Sequence, residues 1–172
     1  IAAEFDAATL LMGASAWDEA ATVLERFRRE HPGHALQPEV TRKLALAYLE
    51  GGRRRDAAME YERIAGTPAE PTDARRAARW QSAELYESAA DPAAARRAYA
   101  VYVTEFPAPL APAMEARHRL AHLARVAGDT PDRERWLAEL VAADAGAGAE
   151  RTERSRYLAA EASLELARPL DA

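Results

Sequence analysis

A pattern that returns every 37 or 38 residues dominates this chain and leaves few folds open to it. Ala47-Tyr48, Gly52, Asp56-Ala57 and Tyr61 find counterparts 38 residues later at Leu85-Tyr86, Ala90, Ala94-Ala95 and Tyr99. An earlier copy, with Leu11, Trp17-Asp18-Glu19-Ala20, Leu24 and Pro32, precedes the first by 37, and a weaker one sets Leu120, Gly128 and Leu137 a further 38 on. A short unit repeated at this period cannot bury its apolar face alone, so its copies must stack.

Each copy divides into two helical patterns. Ala20, Val23, Leu24 and Phe27 recur at helical spacing, as do Ala57, Tyr61, Ile64 and Ala65, then Ala95, Ala98, Tyr99 and Tyr102, then Leu137, Leu140 and Val141. In the first halves, Val40, Leu44, Ala47 and Tyr48 do the same, followed by Leu120, Leu123, Ala124 and Ala127. No segment alternates with a period of two. Asp91-Pro92 and Thr130-Pro131 each offer a capping oxygen followed by a proline whose missing N–H is harmless in a first turn. Gly51-Gly52 and Gly128 suit the left-handed residue that ends a helix. Helices are predicted over 2–13, 17–31, 38–50, 54–65, 72–89, 92–105, 111–127, 131–144 and 150–167, with Gly146-Ala147-Gly148 as a flexible joint. Alanines 20, 57 and 95 fall where the helices of a hairpin cross, and alanines 45 and 83 at the facing positions, allowing axes to approach to about 8–10 Å.

Composition removes several function classes. The absence of cysteine excludes disulfides, zinc–thiolate sites and cysteine nucleophiles. A net charge of -5 argues against nucleic acid as partner. Charged residues interrupt every stretch approaching the about 18 apolar residues a membrane span needs, so no membrane insertion of this segment is expected. Arginine supplies all the basic residues but Lys43, a usage typical of GC-rich bacterial genomes. Beginning at Ile1, the chain reads as a fragment of a longer protein.

The arrangement resembles the tetratricopeptide repeat family. The residues that carry the resemblance are Ala45, Tyr48, Gly52, Asp56-Ala57 and Tyr61, then Ala83, Tyr86, Ala95, Tyr99 and Pro107, with Trp17-Asp18-Glu19-Ala20 and Pro32 in the first unit. The period exceeds the usual 34 for this family, and Arg133 stands where alanine is expected, which implies longer turns between units and a degraded fourth unit. The resemblance implies an all-α, right-handed superhelix of antiparallel helix hairpins. It would form a single domain over 1–172, with units at about 1–36, 37–70, 71–109 and 110–147 and a packing helix at 150–167. The run from Trp136 to Asp144 and from Arg151 to Ala162 is similar to repeat arrays of large bacterial envelope proteins found beside TonB-type and Tol-type energy-transducing machinery. That similarity implies a periplasmic setting, with the cytoplasm as the alternative.

Neither a nucleotide-binding, nucleophile-elbow nor zincin motif is present, so neither catalytic residue nor cofactor is assigned. Glu115, His118 and His122 share a helix face, where Glu-x-x-His pairs contribute to metal centres, but no second such pair completes a set, and two surface histidines are the simpler reading. Arg53-Arg54-Arg55 opens a helix against the macrodipole, which suits docking of an acidic partner or a solvated face with weak ion pairs.

In the resembled family the first helices of successive units line a groove. Carried onto this sequence, the groove residues are Arg42, Leu46, Leu49 and Glu50, then Trp80, Glu84 and Glu87, then His118, His122 and Arg125. Leu46, Leu49 and Trp80 lie off the core stripe and would give a peptide or helix its apolar anchors, with charges at the rim for selection; the alternative is that Leu46 and Trp80 pack against a neighbouring unit. The expected function is a non-enzymatic scaffold or adaptor that binds a protein or peptide, with self-association of the fragment also expected. A helical accessory domain of a peptidoglycan-acting enzyme and a cytoplasmic peptide-docking regulator are the alternatives.

Overall fold

The computed structural model describes residues 2–168, which are helical throughout and contain no strand. The helices are α1 (Ala2–Gly13), α2 (Trp17–Glu30), α3 (Gln37–Glu50), α4 (Arg54–Ala65), α5 (Thr72–Ser88), α6 (Pro92–Glu105), α7 (Leu110–Val126), α8 (Thr130–Gly146) and α9 (Glu153–Ala167). Two compact units contain them, Ile1–Ala95 and Arg96–Ala172, with the boundary inside α6.

In the first unit α1 packs on α2, α2 on α3, α3 on α4 and α4 on α5. One stripe of each helix forms the core. Ala20, Ala21, Leu24 and Phe27 of α2 are buried, as are Val40, Leu44, Ala45, Ala47 and Tyr48 of α3. In the second unit α7 packs on α8, and α9 packs on both. Its fully buried large side chains include Tyr99, Tyr102, Met114, Leu120, Leu140 and Leu158.

The tight turns repeat as strictly as the core. The backbone N–H of Ala16, Arg53, Asp91 and Asp129 donates to the carbonyl five residues back, at Leu11, Tyr48, Tyr86 and Ala124, over 2.7–2.9 Å. This bond closes a Schellman-type helix end and needs a left-handed residue just before the donor. That residue is Ser15 (φ 57), Gly52 (φ 76), Ala90 (φ 56) and Gly128 (φ 70) in turn. Each donor residue then opens the next helix, its carbonyl accepting from Ala20, Ala57, Ala95 or Arg133.

Beyond shifts of one or two residues at several helix ends, three features depart from the sequence reading. The cap of α8 is Asp129, whose side chain accepts from the Asp132 N–H at 3.2 Å, and not Thr130. Asp129 is already held there by the turn, so its carboxylate is the oxygen placed to cap. The expected flexible joint is a 3-10 turn, Gly148–Glu150, pinned where Asp144 accepts from Arg151 and, at 2.7 Å, from Ser155. Helix α9 begins at Glu153, not 150, because Thr152 and Ser155 cap each other's backbone N–H at 3.0 Å.

The alanines foreseen at the crossings are buried: Ala20, Ala57 and Ala95 at 0% exposure and Ala45 and Ala83 at 1% or less. The series runs further than the sequence reading took it. Ala8, Ala45, Ala83, Ala121 and Ala159 are all buried and lie 37 or 38 residues apart. Ala159 belongs to α9, so this helix holds the register position of a first helix in a fifth unit.

Candidate binding clefts on the first helices

Each unit opens a cleft between consecutive first helices. In the first unit, a cavity of about 360 Å³ lies among α3, α4 and α5. Tyr61 and Ile64 of α4 and Ala74, Ala77 and Ala78 of α5 wall it, and Arg42, Glu70 and Gln81 supply its polar edge. Arg42 and Glu70 form a close ion pair there. Burial raises the Tyr61 phenol above its usual range, and the nearby Glu50 carboxylate raises it further.

In the second unit, a cavity of about 320 Å³ lies among α7, α8 and α9. His118, His122 and Arg125 of α7 face Glu161 and Glu165 of α9 across Leu137 and Arg133 of α8. Arg125 donates to Nδ1 of His122 at 3.2 Å. Arg133 pairs closely with Glu165, while its Nε is buried without a hydrogen-bond partner. The expected degraded position is thus filled by an arginine that reaches the fifth first helix.

Of the ten foreseen groove residues, Arg42 borders the first cleft and His118, His122 and Arg125 line the second. Leu46 is 42% exposed, Leu49 and Trp80 are half-buried, Glu50 and Glu84 are exposed and Glu87 is half-buried. The sequence reading missed the contribution of α9. Tyr157, Ala160 and Leu164 form an apolar strip that continues from Glu161 and Glu165, and the extension of the alanine series to Ala159 was the signal that could have found it.

Two other candidates resolve into structural roles. Glu115 accepts from Arg154 Nε at 2.6 Å and Nη2 at 3.1 Å, and these bonds hold its carboxyl below the usual range. Its carboxylate is turned to α9, and among the described residues no three metal-capable side chains converge. Arg53 bonds Asp56 at 2.7 Å and lies over the Tyr48 ring at 4.3 Å, while Arg55 pairs with Asp91 at 3.1 Å. These partners offset the charge that opens α4. No described helix is long and apolar enough to cross a membrane.

Residues 77–108 match the family model described as Tetratricopeptide repeat. No curated protein sequence matches the chain. Among solved structures, the chain is similar to the nearly identical TPR-like repeats of a Podosopora anserina protein assigned as a kinesin light chain, and to a point variant of it. Each is 19% identical with a TM-score of 0.51, over 94% of this chain and 84% of that chain. At this identity the likeness speaks for the fold. Residues 77–108 are therefore a tetratricopeptide repeat, and the chain has the all-α, helix-hairpin solenoid fold of tetratricopeptide-like repeats.

Proposed function

We propose that this chain is a non-enzymatic scaffold whose first-helix faces bind a peptide or helix of a partner protein. Tetratricopeptide repeats are generally protein–protein interaction modules. One observation carries the reading to this chain: both units hold an open cleft between consecutive first helices, the first with apolar walls and charged edges, the second lined mainly by His, Arg and Glu side chains around Ala121 and Leu137. Apolar walls give a ligand burial and hence affinity, and the flanking charges select its register. Exposed Leu46 and half-buried Trp80 extend the apolar surface of the first unit.

A place in a bacterial envelope assembly beside a TonB-type or Tol-type system is the finer reading, supported by the likeness of the segment from Trp136 to Ala162 to such arrays. Self-association fits the exposure of Tyr157 and Leu164.

A peptide library displayed against the chain tests the scaffold. Selected sequences should lose about tenfold in affinity when Trp80 or Leu46 becomes alanine, while the melting temperature stays within a few degrees. Failure to select any saturable binder, or binding indifferent to both substitutions and to His122→Ala, counts against it. Fractionation of the native protein tests the compartment, and mass measured against concentration tests self-association.

A further inference from the structure

We propose that the first-unit cleft is a socket for one bulky apolar side chain of a bound peptide, with an acidic residue of that peptide beside it. The inference rests on the scaffold reading above and adds the chemistry that this cleft selects.

The socket exists because α5 carries small side chains where α3 and the residue that caps it carry large ones. In the repeat register Leu36 corresponds to Ala74 and Val40 to Ala78, 38 residues apart. Val40 is fully buried and helps to fill its own surroundings. With alanine at both places on α5, the space among Tyr61, Ile64 and Ala45 stays open at about 360 Å³. A closed apolar cavity of about 150 Å³ already accepts a benzene ring, so an aromatic or branched aliphatic side chain fits here while its backbone stays outside. The walls are mainly apolar, and the polar groups of the lining are the tyrosine hydroxyl and the edge residues Arg42, Glu70 and Gln81. An apolar group displaces water from them at little polar cost.

The edge sets the neighbouring residue. Arg42 keeps 51% of its side chain exposed, whereas its partner Glu70 keeps 12%. The ion pair therefore presents its cation to solvent and its anion to the protein. A guanidinium has five N–H donors, so Arg42 can bond a ligand carboxylate without releasing Glu70. A ligand ammonium at the same place would face the exposed cation.

Three capped dipeptides titrated into the intact chain and followed by amide and methyl NMR test this. N-acetyl-phenylalanyl-glutamyl amide should give saturable shifts at Ala74, Ala77 and Ala78 with an affinity of about millimolar, as its size allows. The phenylalanyl-lysyl analogue should bind several-fold more weakly, and the alanyl-glutamyl analogue should not saturate. Ala74→Leu with Ala78→Val installs the side chains of the equivalent Leu36 and Val40 and should abolish the shifts while the protein stays folded. Because that pair could overpack, Arg42→Gln provides a second arm: it should erase the preference for glutamyl over lysyl and keep the need for phenylalanine. No saturation with the first peptide, equal binding of the alanyl analogue, or shifts that survive filling of the socket would overturn the proposal. If library peptides bind through Leu46 and Trp80 while these probes leave the three alanines unmoved, the socket fails and the scaffold stands. If the library also yields nothing, both readings fail.

Discussion

The hydroxyl of Tyr48 donates to a carboxylate oxygen of Glu25 at 2.6 Å, tying the first helix of one hairpin to the second helix of the hairpin before it. The tie recurs one repeat later, where Tyr86 donates to Glu62 at 2.9 Å. Tyr48→Phe and Tyr86→Phe should each destabilise the chain by about 1 kcal/mol, the value of a partly exposed hydrogen bond to a charged group, measured by chemical denaturation. Burial, then the hydrogen bond to Glu25 and then its charge push the Tyr48 phenol well above its usual value. A raised group contributes its stability below the unfolded pKa of about 10 and loses it as pH rises through the folded value. Ultraviolet titration should show Tyr48 ionising late, with stability falling more steeply above about pH 10 in wild type than in Tyr48→Phe. Ionisation of Tyr48 at the ordinary pH would refute this account.

The left-handed turn positions make a second prediction. Ser15 and Ala90 adopt φ near 57° and 56° without the freedom of glycine. A side chain there costs about 1 kcal/mol, partly offset by the greater unfolded-state entropy of glycine. Ala90→Gly and Ser15→Gly should therefore stabilise by about 0.5 kcal/mol. In reverse, Gly52→Ala and Gly128→Ala should destabilise by about 0.5 kcal/mol on backbone grounds alone, since a Cβ at either meets nothing within 4 Å. Opposite signs in all four would remove the Schellman assignment.

At the helix crossings, Ala57 is fully buried, and Ala57→Leu should cost about 1–3 kcal/mol by overpacking. The same register position holds Arg133, whose guanidinium extends to Glu165 of α9. Glu165→Ala should cost about 1 kcal/mol, discounted because both side chains are partly exposed. Arg133→Ala in that background should recover much of it. A melting temperature indifferent to Ala57→Leu would count against the register.

Acid should act unequally on the two units. Arg154 holds Glu115 below the usual carboxylate range, and Arg96 does the same for Asp129. Arg151 and Ser155 lower Asp144, and for Asp132 burial pulls upward but the bonds from Arg135 and Arg96 outweigh it. All four lie in the Arg96–Ala172 unit. A depressed carboxylate contributes stability above its unfolded pKa, about 4, and loses it as pH falls through the folded value. Between about pH 4 and pH 2, amide protection at Leu120 and Leu140 should fall before that at Leu24 and Leu44. Simultaneous loss, or the reverse order, would contradict it.

Much of the fold was legible because period, apolar spacing and turn residues agreed. Gly52 and Gly128 announced left-handed residues, but Ser15 and Ala90 did not, because there the Schellman bonds of the turn impose the conformation on residues that do not favour it. Thr130 and Asp129 both carry capping oxygens, and only the turn geometry decides between them. The groove residues on α7 were legible through register. Their carboxylate partners on α9 were not, because Glu161 and Glu165 reach the cleft only once α9 packs on α7 and α8. The pairing of Glu115 with Arg154 spans 39 residues, beyond any local pattern.

Ala159 makes the array a ruler with one graduation. Because each alanine of its series finds the same kind of seat, a window of 38 consecutive residues copied in tandem within Ile1–Ala95 would meet neighbours it already fits. Length could then be set by duplication, with no fresh interface to invent, and an added module would bring one more cleft wherever its first helix carries small side chains as α5 does.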